Sequence, residues 1–416
     1  SIQQTFLLTT GVWVALPVFA AIPFVLGAPQ ASYVDAFFEA MSGMTTTGST
    51  VLSGLDEMPK GLLLWRGLMQ WLGGVGIIVV AMVFLPELRV GGMQIFRSEG
   101  FDTFGKILPR ATQISSRISS IYITLTLMCI VGYIAVGMSA FDATVHAMTT
   151  VATGGFANYD ASFGAFSGGA EYVSVVFMLL AALPFVRFVQ LSAGTARPLL
   201  EDPQIRGFFM TVLSIILILT LWRVSQIEQF GEKDIREVLF NVVSILTGTG
   251  YASADYMLWG AFPVALFYFI GLIGGCAGST ACSIKIFRYQ LLFASVRSQI
   301  NKIKSPHGVF TPKYGGRAIG EDVLSSVMAF FVFFTVTLGV ISILLSLTGL
   351  DFMTSVSGAA ATLANIGPGL GDIIGPSGNY AGLNDAAKWV LIASMLIGRL
   401  ELLAVYALFM PVFWRG

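Results

Sequence analysis

Residues 35 to 49 read Asp35-Ala36-Phe37-Phe38-Glu39-Ala40-Met41-Ser42-Gly43-Met44-Thr45-Thr46-Thr47-Gly48-Ser49, a modest apolar segment opened by an aspartate and closed by a run too polar for a membrane helix. The pattern returns three times. Asp142 leads to Thr153-Gly154-Gly155, Asp234 to Thr247-Gly248-Thr249-Gly250, and Asp351 to Asn365-Ile366-Gly367. From aspartate to last glycine the offsets are 13, 13, 16 and 16 residues, and the last glycines lie 107, 95 and 117 residues apart. This spacing points to one ancestral unit copied four times.

The rest of the chain says where such units sit. It is 55% hydrophobic and 11% charged, against about 45–50% and about 25% in soluble domains. That composition predicts an integral membrane protein. Zero net charge removes the electrostatic footprint for nucleic acid, and two histidines leave little for a metal site. Cys129, Cys276 and Cys282 stand in apolar surroundings with no zinc or disulfide spacing, which reads as packing. Ser1 is not preceded by a Met-initiated or signal-like segment, so a truncated N-terminus is expected.

A hydrocarbon core about 30 Å thick takes about 20 apolar residues per helix. Stretches near 5–27, 62–86, 118–139, 172–193, 207–226, 257–284, 323–347 and 387–413 meet that length. Within each pair lies a shorter uncharged stretch, at 40–55, 143–159, 238–254 and 352–371. Rich in Thr, Gly and Asn, each reads as a re-entrant half-helix followed by an extended loop, which at membrane depth must be lined by protein or a water-filled cavity. The predicted fold is all-α, with four span, half-helix, loop, span repeats around one pseudo-fourfold pore. The repeats run over 1–87, 117–198, 199–297 and 322–416, with cytoplasmic linkers at 88–116 and 298–321. Asp35, Asp142, Asp234 and Asp351 stand where helix N-caps are expected. The half-helices then point their partly negative C-terminal ends at the centre, which favours a cation.

Lys and Arg set the orientation. They crowd the connections between repeats, as Arg89, Arg97, Lys106, Arg110 and Arg117, then Arg187, Arg197 and Arg206, then seven more from Lys285 to Arg317 without an acid. Those connections and both ends of the chain are expected in the cytoplasm, with the glycine loops facing outward. The last basic run reads equally as a topology determinant or a partner's dock.

The loops are where the chemistry is expected. Carbonyl oxygens converging from several strands can replace an ion's hydration shell, and glycine adopts the required dihedrals without steric penalty. Gly48, Gly155, Gly250 and Gly367 are the candidate innermost ring. Thr46, Thr47, Thr153, Gly154, Thr247, Gly248, Thr249, Asn365 and Ile366 are candidates for further carbonyls, with hydroxyls or the Asn365 amide as deeper ligands or braces. The alternative is four ordinary turns.

A second anomaly lies in the span near 257–284, where Gly271, Gly274, Gly275, Gly278, Ser279 and Thr280 interrupt the apolar run. Glycine in a helix interior costs about 1 kcal/mol relative to alanine, so this helix is expected to break. The break forms an intramembrane gate under the loops, or else a close helix contact of the kind expected at Gly73, Gly74 and Gly76. Arg399, deep in the last span, faces the interior as an electrostatic barrier or an ion-pair partner, with Glu401 two residues on a poor match. Trp65, Arg66, Trp71, Trp222, Trp389 and Trp414 read as interfacial anchors. Gly369-Leu370-Gly371-Asp372 with Tyr159-Asp160 imitates the carboxylate pair of intramembrane aspartyl proteases, but each aspartate follows a glycine loop toward a polar connection. No catalytic residue is therefore expected.

Together, Thr45-Thr46-Thr47-Gly48-Ser49, Ala152-Thr153-Gly154-Gly155-Phe156, Leu246-Thr247-Gly248-Thr249-Gly250-Tyr251 and Ala364-Asn365-Ile366-Gly367-Pro368, with the Gly274–Ser283 break and Gly398-Arg399, resemble the Trk/Ktr/HKT superfamily of potassium transporters, most closely the bacterial TrkH-type membrane subunits. The resemblance covers essentially the whole chain. It implies four M1-P-M2 units around one pore, K+ as the permeant ion bound at the filter only, and no organic cofactor on this chain. It further implies a homodimer in the bilayer of the bacterial cytoplasmic (inner) membrane, gated by a cytosolic nucleotide-binding RCK ring such as TrkA. The four loops become the filter, the glycine-rich break the gate, and Arg399 a pore-facing residue beneath it. Relatives that prefer sodium carry a serine where this chain has Gly48, and such subunits usually begin with additional helices. The other transport reading is an ion-coupled H+ or Na+ secondary transporter, expected to show inverted repeats and an intramembrane acid.

Overall fold

A computed structural model describes residues 2–81, 91–93 and 111–414; Arg89, Arg97, Lys106 and Arg110 lie outside them. The chain repeats one order of elements four times. Helices α1 (Ile2–Ala20) and α2 (Ile22–Leu26) lead to a half-helix α3 (Tyr33–Met44), a loop, and α4 (Lys60–Val79). The second round is α5 (Ala111–Ala135), half-helix α6 (Ala140–Val151), and α7 (Gly169–Ala181) with α8 (Phe185–Ser192). After α9 (Arg197–Glu201) come α10 (Pro203–Gln226), half-helix α11 (Glu232–Thr247) and α12 (Ala261–Gly271). Helix α13 (Ile286–Lys304) and an antiparallel pair, β1 (Lys313–Tyr314) with β2 (Arg317–Ala318), connect to the fourth. That round is α14 (Glu321–Leu347), half-helix α15 (Phe352–Leu363), and α16 (Asp385–Arg399) with α17 (Leu403–Phe409) and α18 (Pro411–Trp414).

The long helices are apolar on both faces. Along α14, Val327, Phe330, Phe334, Thr337, Ile341 and Leu345 are buried at three- and four-residue spacing, whereas Val332, Val336, Val340, Ile343 and Leu347 face outward. An apolar surrounding such as lipid rewards that outer face. Its 27 residues reach about 40 Å, enough to cross a core of about 30 Å. Among the described residues, helices over Phe6–Leu26, Lys60–Val79, Ser115–Ala135, Pro203–Gln226 and Glu321–Leu347 are long and apolar enough to cross unaided.

Three expected spans are not continuous helices. The stretch at 172–193 bends by 89° between α7 and α8, where Pro184 has no N–H to continue the ladder. That at 387–413 turns by 111° between α16 and α17, with Glu401 and Leu402 at φ 60° and 49°. The third ends at Gly271 and runs irregularly to Lys285, where the glycine cluster lies.

The caps also differ from expectation. Of the four repeat aspartates only Asp351 is an N-cap, accepting from the Thr354 N–H at 3.1 Å. Asp35 and Asp142 sit one turn in, behind Ser32 and Ser139, whose hydroxyls accept from the aspartate N–H groups at 3.2 and 3.1 Å. Asp234 accepts from the Gly231 N–H at 3.0 Å. A carboxylate at the third position closes a reciprocal cap and still meets the positive end of the helix dipole. Four half-helices are thus pinned at their outer ends, with their C-termini directed inward.

A ring of four loops and the break beneath it

The loops after α3, α6, α11 and α15 close on one another in chain order. A Cβ added at Gly48 would stand 2.1 Å from the Gly154 carbonyl, one at Gly155 1.9 Å from that of Thr249, one at Gly250 2.7 Å from the Gly367 nitrogen, and one at Gly367 3.0 Å from the Gly48 carbonyl. At the first three a side chain would have to push the neighbouring loop's backbone aside.

Their backbones share a rhythm. Thr46, Thr153, Gly248 and Asn365 have φ of 52°, 48°, 78° and 52°, and Gly48, Gly155 and Gly250 have 85°, 79° and 84°. Between and before them φ is negative, as at Thr45, Ala152 and Ala364. Alternating hands turn successive peptide groups to one side, the carbonyl counterpart of an N–H nest. Left-handed Thr and Asn cost about 1–3 kcal/mol each, so the ring stores strain. Among the described residues, the carbonyls of Thr46, Thr47, Gly48, Thr153, Gly155, Gly248, Thr249, Gly250, Asn365 and Ile366 accept no hydrogen bond.

Side chains brace this backbone. The Thr45 and Thr47 hydroxyls pair at 2.7 Å, as those of Thr247 and Thr249 do at 2.8 Å. Asn365 donates to the Thr47 hydroxyl at 3.0 Å and to the Met395 carbonyl at 2.9 Å, tying the fourth loop to the first and to α16. Small residues let the spans press in. A Cβ at Gly73 would lie 1.9 Å from the Met44 carbonyl, and one at Gly398 2.1 Å from that of Leu363.

Several braces escape a reading of the sequence. Arg66 is no interfacial anchor: it is 1% exposed, and it holds Glu39 at 2.8 Å and the Ala157 carbonyl at 2.8 Å. Glu39 accepts in turn from Thr50 and the Val51 N–H. A charge of each sign inside apolar helices was the available signal. Gln70 clamps the second loop, donating to the Gly154 carbonyl at 2.7 Å and accepting from the Phe156 N–H at 3.0 Å. Tyr251 bonds through its hydroxyl to Thr149 at 2.5 Å and Thr150 at 3.2 Å on α6. Outside the ring a cavity of about 340 Å³ is lined by Gly48, Gly155, Gly250 and Gly367, with Asp160 beside it accepting from the Gly54 and Leu55 N–H groups.

On the other side lies the irregular stretch 272–285. It is docked on the bend between α7 and α8: Cys276 N–H donates to the Ala182 carbonyl at 3.0 Å, Thr280 Oγ1 to that of Ala181 at 3.0 Å, and Phe185 N–H to that of Gly278 at 2.9 Å. Ser279 closes a turn onto the Cys276 carbonyl, and Gly274 turns through φ 78° against the Cys282 carbonyl. Gly275 packs on Ala281 and Ala182. Cys282, read as packing, sits under the ring, with Sγ 3.8 Å from the Thr46 hydroxyl and its backbone against Gly248. Arg399 is 3% exposed and reaches Cys282 and the Gly73 carbonyl, the latter at 3.1 Å. Glu401 binds Lys285 at 2.9 Å and also Arg288.

A family model described as cation transport protein, TrkH, matches residues 1–414. The chain belongs to the TrkH family. It is a family of transporters and not of enzymes. The Trk system potassium uptake protein TrkI of Halomonas elongata is 48% identical over 414 residues, covering 99% of this chain and 84% of the relative. TrkH of Vibrio parahaemolyticus is 38% identical, covering 100% and 86%. The crystal structure of the potassium transporter TrkH from Vibrio parahaemolyticus superposes with a TM-score of 0.90 at 36% identity, over 99% of this chain and 86% of that one. The all-α fold of four M1-P-M2 repeats is therefore the family's own.

Proposed function

We propose that this chain takes up K+ through a single channel-like pore whose selectivity filter is the ring formed by the four glycine loops. The closed ring of loops, most of whose carbonyls are unbonded among the described residues, carries this reading. Such oxygens replace an ion's water, and the half-helix C-termini behind them supply partial negative charge. The relatives' names support potassium as the ion. Repeats over 1–87, 117–198, 199–297 and 322–416 supply one wall each, with linkers at 88–116 and 298–321 on the cytoplasmic side of the bacterial inner membrane and the filter facing outward. Each 100 mV of membrane potential contributes about 2.3 kcal/mol per ion toward entry.

The stretch 272–285 is the gate. Gly274, Gly275, Gly278, Ser279 and Thr280 shape it, Cys282 stands in the path, and Arg399 sets a positive charge beneath the filter. A homodimer and a cytosolic nucleotide-binding RCK ring of the TrkA kind complete the assembly. A coupled transporter needs a carboxylate free to exchange protons or Na+. Glu401, the deep acid of the last span, is instead held by two cations.

The test is ion flux into vesicles holding the purified protein. Gly48→Ser lowers the preference for K+ over Na+. Ion ratios equal to those of the unaltered protein remove the first loop from the filter.

A further inference from the structure

The four walls do not offer the ion four equal carbonyls. Gly48, Gly155 and Gly250 have left-handed backbones and, among the described residues, carbonyls without a hydrogen bond. Gly367 has neither property. Its φ is not positive, and its carbonyl accepts from Ser49 Oγ at 2.8 Å and from the Tyr380 hydroxyl at 3.1 Å. A carbonyl has two lone pairs, so two donors saturate it. The Gly154 carbonyl, by contrast, accepts from Gln70 alone among the described residues and keeps one pair.

The contacts around the ring slip at the same place. Gly48 and Gly155 each back onto the carbonyl one residue before the next loop's last glycine, Gly154 and Thr249. Gly250 meets the Gly367 nitrogen instead, and Gly367 meets the Gly48 carbonyl. Pro368 follows Gly367, where the other loops have Ser49, Phe156 and Tyr251. A proline disfavours helical dihedrals in the residue before it and has no N–H.

Building on the filter reading, we infer that the ion site at the four last glycines, which line the cavity outside the ring, has three carbonyl walls and one closed wall, and that Ser49 and Tyr380 are the positioning residues that keep it closed. Three ligands hold a partly dehydrated ion more weakly than four. Conduction needs a site weak enough to release, so the closed wall sets how loosely the pore takes its first ion. Ser49 comes from the first repeat and Tyr380 from the fourth. The latch thus spans the seam where the ring's end meets its beginning.

Removing the latch returns a ligand. In vesicles, Ser49→Ala and Tyr380→Phe each lower the KM for external K+ by roughly three- to tenfold, the effect of one added neutral contact. The double variant falls at least as far. The K+ concentration that half-maximally raises the melting temperature of the solubilised protein falls in parallel. A lower maximal rate at unchanged KM marks the two residues as plain loop braces, and any result short of a fall in KM in both single variants overturns the inference. Gly48→Ser in the same assay separates the two readings. If it alters ion preference while the latch variants leave KM unchanged, only the closed wall fails; if it leaves ion preference unaltered, the filter reading fails and this inference with it.

Discussion

At the scale of the residue, the ring is decided by what is missing. Gly155 has no room for one carbon, since a Cβ would stand 1.9 Å from the Thr249 carbonyl at a φ of 79°. Gly155→Ala therefore forces the second and third loops apart. Rb+ uptake in vesicles falls by an order of magnitude or more, while size-exclusion chromatography still finds an intact protein; uptake at the original rate shows that the ring tolerates the gap. Glu401 is the opposite case, a residue whose loss exposes others. Glu401→Gln leaves Lys285 and Arg288 buried without their carboxylate, at a cost of about 3–5 kcal/mol. A clear drop in melting temperature in detergent checks it, and an unchanged one shows that the cations find other partners.

At the scale of the element, helices and breaks were unequally legible in the sequence. The half-helices and their loops could be placed because aspartate, apolar run and glycine recur at matched offsets. The break after Gly271 announced itself through glycines that no helix accumulates without cost. The bends at Pro184 and Leu400 were hidden in runs apolar enough to pass for single spans, for hydropathy records burial in lipid and not axis direction. Arg66, Gln70, Tyr251 and Cys282 were missed for a related reason: each holds a partner 30 or more positions away, and only folding brings them together. The docked break carries its own prediction. Shortening the segment between Gly274 and Ser283 removes bonds to Ala181 and Ala182 and draws Cys282 from beneath Thr46. Flux rises severalfold in vesicles, and a fall or no change refutes a blocking role.

At the scale of the whole molecule, two cores flank the ring. One gathers mainly residues of the second and third repeats, the other mainly those of the first and fourth. The ring lies between them, strained at Thr46, Thr153 and Asn365 and held from outside by Arg66, Gln70, Tyr251 and Tyr380. The order of its walls follows the order of the chain, and this has a consequence for inheritance. In a pore made of four identical subunits one base change strikes every wall at once, so only substitutions tolerable in fourfold survive. Here a mutation touches a single quadrant, and drift can retune the mouth by quarter steps. Pro368, present in one loop alone, is such a step.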